Sequence, residues 1–89
     1  MPEIQWTESF RDFYLALPAE IRKKAQKAIR LLTEDPRHPS LRRKPIKGAP
    51  GIYEARVDRG YRMTYERLPG NILRLRVVGK HDEALITLQ

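Results

Sequence analysis

Two stretches in the first third of the chain repeat apolar residues at the spacing of an amphipathic helix. The first has apolar residues at positions 10, 13, 14 and 17, and the second has them at positions 21, 25, 28, 29 and 32. Thr7 is suited to cap the first helix, Pro18 to end it and to open the second, and Asp35-Pro36 to end the second. We therefore predict an antiparallel helical hairpin with a very short connection, preceded by a short strand near positions 4–6.

From position 52 onward the period changes to two, which is typical of strands with one buried face. Three such stretches are separated by Arg59-Gly60 and Pro69-Gly70, two sequences that favour tight turns. The apolar face of these strands is predicted to consist of Tyr53, Ala55, Val57, Tyr61, Met63, Tyr65, Leu73, Leu75 and Val77. We therefore predict an α+β fold, in which the helical hairpin covers one face of an antiparallel sheet of three to four strands.

Residues 36–51 differ from both regions. They contain four of the seven prolines and five basic residues, with no acidic residue among them. This composition predicts a stiff loop that crosses from the helices to the sheet. Because the loop is too short to link two domains, we expect residues 1–89 to form a single domain.

The composition narrows the class of protein. The 89 residues include no cysteine, which excludes disulfides, a thiol nucleophile and a Cys-ligated metal. No apolar run approaches the roughly 20 residues that span a bilayer, and residues 1–3 begin no secretory signal. His38 and His81 do not make a metal site by themselves. We expect a cytoplasmic protein that uses neither metal nor cofactor.

Positive charge is concentrated in one part of the chain. The net charge is +7, and residues 36–80 hold twelve Lys or Arg against three Asp or Glu. Nucleic acid is the first candidate for a partner of such a segment. A solvated basic surface, or a surface suited to an acidic protein, is the alternative interpretation.

The second face of the predicted sheet contains most of the candidate chemistry. Its residues are predicted to be Glu54, Arg56, Arg62, Thr64, Arg74 and Arg76. Four arginines on adjacent strands repel one another unless an anion lies between them, and guanidinium groups match phosphate oxygens. The alternative is a solvated face on which Arg56 pairs with Glu54 or Glu66. His81 follows the last strand and is a candidate for proton transfer.

Three segments in this order and spacing resemble a known family. They are Gly51–Val57 (GIYEARV), Gly60–Tyr65 (GYRMTY) and Val77–Asp82 (VVGKHD). Together they resemble the RelE/ParE superfamily of bacterial toxins over essentially the whole chain. The resemblance implies a RelE-like fold and the toxic half of a type II toxin–antitoxin pair. The RelE-like members of this superfamily are ribosome-dependent endoribonucleases that cut mRNA.

The resemblance also implies a mechanism and site residues. In the family, the ribose 2′-OH attacks the neighbouring phosphate without a metal. Arg62 matches the most recurrent catalytic arginine, Arg56 matches a phosphate-contacting position, and His81 matches the position of an acid or base. Glu54, a further candidate catalytic residue, occupies a position that is lysine in some members. The further candidates for binding mRNA or ribosomal RNA are Lys80, Arg74, Arg76, Lys44, Lys47, Arg42 and Arg43.

The implied partners are a cognate antitoxin, in a hetero-oligomer, and the ribosome with its mRNA. One feature departs from the family pattern, because residues 83–88 contain none of the aromatic residues that many nucleolytic members have there. Two other functions remain open. One is a ParE-like poison of DNA gyrase without enzymatic activity, and the other is a catalytically weak, basic RNA-binding module.

Overall fold

The computed structural model describes residues 1–81. Its elements are β1 (Glu3–Gln5), α1 (Glu8–Leu15), α2 (Ala19–Glu34), a 3₁₀ turn (Pro39–Leu41), β2 (Lys44–Pro45), β3 (Ile52–Asp58), β4 (Tyr61–Leu68) and β5 (Ile72–Lys80). The helices and the three long strands confirm the predicted α+β fold. The sequence pattern of residues 80–89 fits either a short helix or a last strand. Lys80 is the last residue of β5, and positions 82–89 lie outside the described residues. Within residues 1–81, no helix is long and apolar enough to cross a membrane.

The sheet has five strands, one more than the upper end of the prediction. Their order is β1-β5-β4-β3-β2, and β1 is parallel to β5 while the other neighbours are antiparallel. The extra strand is β2, which lies in the segment predicted to be a loop. It has only two residues, Lys44 opposite Glu54 and Pro45 opposite Tyr53. Two residues are too few to show a period of two, so the sequence pattern does not reveal this strand.

The start of α1 is tied to the sheet by the predicted cap. The Thr7 hydroxyl accepts a hydrogen bond from the Phe10 backbone N–H at 3.1 Å. The same hydroxyl donates to the Leu75 carbonyl at 3.0 Å. A capping hydroxyl contributes about 1 kcal/mol to helix stability. Here it also fixes the first turn of α1 against β5.

The core lies between the two helices and one face of the sheet. Phe10, Ala25 and Leu32 from the helices are fully buried, and they form one cluster with Met63 and Tyr65 from β4. Burying a large apolar side chain contributes about 1.5–3 kcal/mol, so this cluster holds the two layers together. Phe13 is an exception to the predicted helical stripe. It is 37% exposed, because it lies at the margin of the face that α1 presents to the sheet.

An irregularity in β5 corrects the predicted division between the two faces. Thr64 pairs with Val77 and Tyr65 pairs with Leu75, so β5 has one extra residue, Arg76, at this point. An extra residue reverses the facing of every later side chain in the strand. Val78 therefore joins the core cluster. The prediction that Val77 belongs to the core face is wrong, because Val77 shares its row with Thr64 on the other face.

A salt bridge joins α2 to the end of β3. The Lys24 Nζ lies 2.7 Å from the Asp58 Oδ2. This hydrogen bond from Lys24 is the main cause that lowers the pKa of Asp58 below its usual 3.8, and the Arg59 backbone N–H contributes in the same direction. The ionised carboxylate is therefore favoured in the folded state.

We predict that Asp58→Asn lowers the free energy of unfolding at about pH 7 and that this effect disappears in acid. Because the folded-state pKa of Asp58 is depressed, its contribution is complete above 3.8 and is lost as the pH falls through the lowered value. Urea unfolding of both proteins from about pH 7 to about pH 2.5 measures this. Glu34→Gln is the control, since its pair with Arg30 is exposed on one helix. A difference that persists unchanged in acid contradicts the prediction.

Candidate functional site

Glu54 is the buried carboxylate on the face of the sheet that points away from the helices. It lies in a cross-strand row between Lys44 of β2 and Thr64 of β4, and Val77 of β5 follows in the same row. Glu54 is 2% exposed and Thr64 is fully buried. The prediction that both lie on a solvent-facing surface is therefore wrong. The cause is local, because neighbouring strands and long basic side chains crowd the centre of this face.

Three basic side chains, from β2, β4 and the residue after β5, surround this carboxylate. Lys44 Nζ lies 3.8 Å from Glu54 Oε2, and Arg62 Nε lies 3.4 Å from Oε1. The Nδ1 of His81 also lies 3.4 Å from Oε1. Neither contact of Oε1 has hydrogen-bond geometry, and no other hydrogen bond of the described residues reaches this atom. The carboxylate is thus held by charge, and its Oε1 can still accept a hydrogen bond from the imidazole. Catalytic hydrogen bonds are often this long without substrate.

The guanidinium of Arg62 is fixed by the turn between β3 and β4. Its Nη1 donates to the carbonyls of Asp58 at 2.6 Å and of Tyr61 at 2.9 Å, with a longer contact to Arg59. With Nε directed at Glu54, the side chain is held from two sides and is only 20% exposed. No hydrogen bond of the described residues involves Nη2. Arg62 therefore presents a positive charge of fixed orientation, which is the form of electrostatic stabilisation that costs little reorganisation.

The imidazole of His81 bridges the buried carboxylate and the solvent. The His81 backbone N–H donates to the Gly60 carbonyl at 3.0 Å, which places the residue beside the β3–β4 turn. Its Nδ1 is inaccessible and faces Glu54, yet 41% of the side chain is exposed. An imidazole held in this way can exchange a proton at its other nitrogen. The structure therefore brings Glu54, Arg62 and His81 together, in an arrangement that we call the Glu–Arg–His cluster.

The predicted arginines of this face form two groups and not one. Arg56 is the cross-strand partner of Arg62 and lies next to the Glu–Arg–His cluster. Arg74 is in a different row, where its Nη1 lies 3.7 Å from Glu66 Oε1. Arg76, the extra residue of the bulge, lines a cavity of about 470 Å³ together with Arg74 and the start of α1. The row that contains Thr64 separates the two groups, so the expected single cluster of four arginines is wrong.

The remaining predicted binding residues lie in different parts of the fold. Lys80 is exposed, adjoins His81 in the chain and pairs with Tyr61. Lys47 is exposed in the loop after β2. Arg42 and Arg43 follow the 3₁₀ turn, on the side of the sheet that the helices cover. Within residues 1–81, no hydrogen bond or salt bridge joins any of these four to the Glu–Arg–His cluster.

Arg43 has a different neighbour, the buried phenol of Tyr65. Burial raises the pKa of Tyr65 above its usual 10, and the nearby charge of Arg43 partly offsets this. The ring of Tyr65 stacks on that of Tyr53 at a centroid distance of 5.8 Å, and Arg67 lies over the Tyr53 ring. This aromatic cluster lies beneath the helical layer and supports the β3–β4 pairing.

In the part of the chain that the structure describes, no three His, Asp or Glu side chains gather as potential metal ligands.

Three of the solved structures to which this chain is similar are described as toxins or as a RelE–RelB complex. The chain superposes on the isolated RelE toxin of E. coli with a TM-score of 0.72, at 20% identity over 100% of both chains. It superposes on the YoeB/ParE toxin from Agrobacterium tumefaciens with a TM-score of 0.73, at 24% identity over 89% of this chain and 98% of that one. A chain of the archaeal RelE–RelB complex from Pyrococcus horikoshii gives 0.74, at 14% identity over 93% and 98%.

These similarities establish the fold. The chain has a RelE-like fold, which confirms the fold that the resemblance of the three sequence segments implied. No protein-family model matches the sequence, and no curated protein is similar enough in sequence to match it. The fold alone does not define the chemistry. The function is therefore argued from the Glu–Arg–His cluster and its surroundings.

We predict that Glu54 and Arg62 are energetically coupled, because removal of either leaves the other partly buried charge uncompensated. A double-mutant cycle with Glu54→Gln and Arg62→Gln, measured by urea unfolding, is expected to give a coupling energy of about 1–2 kcal/mol. The control cycle uses Glu66 and Arg74, whose side chains are 32% and 46% exposed. That exposed pair is expected to couple by less than about 0.5 kcal/mol. Equal coupling in both cycles contradicts the account.

Proposed function

We propose that this protein is the toxin of a type II toxin–antitoxin system and that it acts as a ribosome-dependent endoribonuclease on mRNA. The observation that supports this function best is the Glu–Arg–His cluster on a RelE-like sheet. It unites a fixed cation with a proton-transfer group. Similar structures include the E. coli RelBE and DinJ–YafQ toxin–antitoxin complexes, which supports a role in such a pair.

The reaction is an internal phosphoryl transfer. The ribose 2′ oxygen loses its proton and bonds to the adjacent phosphorus, the bond from phosphorus to the 5′ oxygen breaks, and the leaving 5′ oxygen takes up a proton. The charge that develops on the phosphate oxygens needs fixed cations. Arg62 supplies one, since the turn carbonyls hold its Nη1. Arg56, its cross-strand partner, supplies a second cation. Such donors contribute about 10²–10³ in rate each.

His81 is the residue we assign to proton transfer. Its solvent-exposed edge accepts the 2′ proton, while Nδ1 remains directed at the carboxylate of Glu54. The leaving oxygen is protonated by water. Lys80, which precedes His81 and is exposed, is placed to bind a neighbouring phosphate. General acid–base catalysis of this kind contributes about 10²–10⁴ in rate.

Glu54 is best described as a positioning residue. It is 2% exposed and its Oε1 is inaccessible, so it cannot reach a ribose hydroxyl without leaving its cations. A carboxylate behind an imidazole orients the ring and stabilises the imidazolium that forms when the ring takes a proton. Glu54 therefore acts through His81 and does not contact the reacting atoms.

The antitoxin, in this proposal, is an acidic chain that covers the basic face in a cytoplasmic hetero-oligomer. The net charge of +7 favours an acidic partner and a polyanionic target.

A ParE-like gyrase poison is the competing function, and one of the similar structures is described as a YoeB/ParE toxin. A protein that acts only by binding gyrase has no use for the proton-transfer arrangement of His81 and Glu54, and this favours the nuclease. A basic module that only binds RNA has no use for it either.

We predict that single substitutions in the cluster slow the cleavage of ribosome-bound mRNA without abolishing folding. Arg62→Ala is expected to slow single-turnover cleavage by about 10²–10³, and His81→Ala by about 10²–10⁴. Glu54→Gln is expected to slow it less and to change the pH–rate profile, because it acts through the imidazole. Primer extension on a reporter mRNA in a reconstituted translation reaction measures all three.

Arg11→Ala is the matched control, because it removes one exposed cation from α1, far along the chain from the cluster. Gyrase supercoiling is assayed in parallel with the same preparations. Inhibition of gyrase with intact mRNA identifies a gyrase poison and contradicts the proposal. Full cleavage by Arg62→Ala and His81→Ala contradicts the assigned chemistry.

A further inference from the structure

A groove of about 780 Å³ runs between α2 and the outer edge of β3, and the 3₁₀ turn closes one end. Its floor is apolar and includes Leu31, Leu41 and Val57. Cationic side chains line its rim, and we call it the basic groove. The rim residues are Lys24, Lys27, Arg42, Arg56 and Arg59.

The charge of the basic groove is not balanced by its own residues. Asp58 is the only acidic residue that lines it, and its carboxylate already forms a salt bridge with the Lys24 Nζ at 2.7 Å. No salt bridge within residues 1–81 involves Lys27, Arg42 or Arg59. Three unpaired cations around one cavity repel one another, and a multivalent anion relieves that repulsion.

The groove is open because β3 lacks a neighbour along part of its edge. The two residues of β2 pair only with Tyr53 and Glu54, so from Ala55 to Asp58 the edge of β3 that faces away from β4 has no strand beside it. Arg56 lies in this stretch, lines the groove and is also the cross-strand partner of Arg62. The Glu–Arg–His cluster and the basic groove are therefore adjacent, with Arg56 between them.

Arg42 adds an independent observation. Its φ is +44°, in the left-handed region that favours glycine, at the end of the 3₁₀ turn. Residues other than glycine are uncommon in this conformation, and strained residues of this kind concentrate at functional sites. The backbone here holds a guanidinium at the rim of the groove, where glycine would fit the chain better.

We propose that the basic groove binds the phosphate backbone of an RNA strand that continues from the Glu–Arg–His cluster around the free edge of β3. This inference rests on the proposed function, and it adds a second contact region outside the reacting phosphate. Arginine pairs with phosphate oxygens in bidentate fashion. The apolar floor is suited to contact with ribose and base surfaces. A continuous chain of phosphates is the ligand that reaches Arg62, Arg56 and the groove together.

Binding is tested with a 2′-O-methylated oligoribonucleotide of about 15 residues, which cannot be cleaved because its 2′ oxygens are blocked. The groove variant combines Lys27→Ala with Arg59→Ala. The control variant combines Arg11→Ala with Lys23→Ala, which removes the same charge from exposed positions that do not line the groove. We expect the groove variant to bind about tenfold more weakly, with a salt slope smaller by about 1.4, since each contact to single-stranded RNA contributes about 0.7. We expect the control to bind like the wild type.

A second variant separates binding from folding. Arg42→Gly removes a groove cation and also relieves the left-handed backbone, so we expect a higher melting temperature together with weaker RNA binding. A residue with only a structural role does not give these opposite changes. Unchanged RNA affinity in Arg42→Gly overturns the proposal.

Two further outcomes also overturn the proposal: equal losses in the groove and control variants, or a groove variant that loses affinity for polyglutamate but not for RNA. The first shows that net charge alone governs binding, and the second identifies an acidic protein as the ligand. The assay needs no cleavage. If the wild type fails to cut mRNA yet binds the blocked RNA through the groove, the proposed nuclease function is contradicted and the proposed RNA binding by the groove is still supported.

Discussion

The site depends on a buried carboxylate that is shared among basic side chains from two strands and from the residue after a third. Burying a carboxylate costs several kcal/mol unless charges compensate it. Glu54 meets this requirement only because Lys44 of β2, Arg62 of β4 and His81 after β5 converge on it. Any pairing of the strands that separated these residues would leave Glu54 without compensation. The interaction that organises the site therefore also favours the native strand register.

Much of the fold follows from the sequence because its patterns are long. The helical stripe from positions 21 to 32 and the period of two from position 52 each extend over many residues, so they define α2 and the three long strands. Such patterns do not predict short or local features of the fold. The two residues of β2 show no period, and a single extra residue at Arg76 exchanges the faces of Val77 and Val78. A bulge is decided by packing and hydrogen bonding between strands, which a single sequence does not display.

The candidate site was only partly predictable for a related reason. Short motifs point to Glu54, Arg62 and His81, and the tight turn at Arg59-Gly60 sets the register that brings the first two near each other. The burial of Glu54 was not predictable, because an acidic residue in an alternating strand indicates exposure. The contribution of α2 to the basic groove was hidden as well. Its lysines lie in a segment whose net charge is zero, and only the packing of α2 on β3 places them beside Arg56 and Arg59.

The central claim is that Glu54, Arg62 and His81 act as one unit in cutting RNA. Groups that act as a unit show strongly non-additive losses when they are removed together. The most direct measurement is single-turnover cleavage of ribosome-bound mRNA by the triple variant Glu54→Gln, Arg62→Ala, His81→Ala, beside the three single variants. The account predicts that the triple variant is little slower than the slowest single variant. Losses that multiply across the three positions, or a triple variant as fast as the wild type, would contradict it.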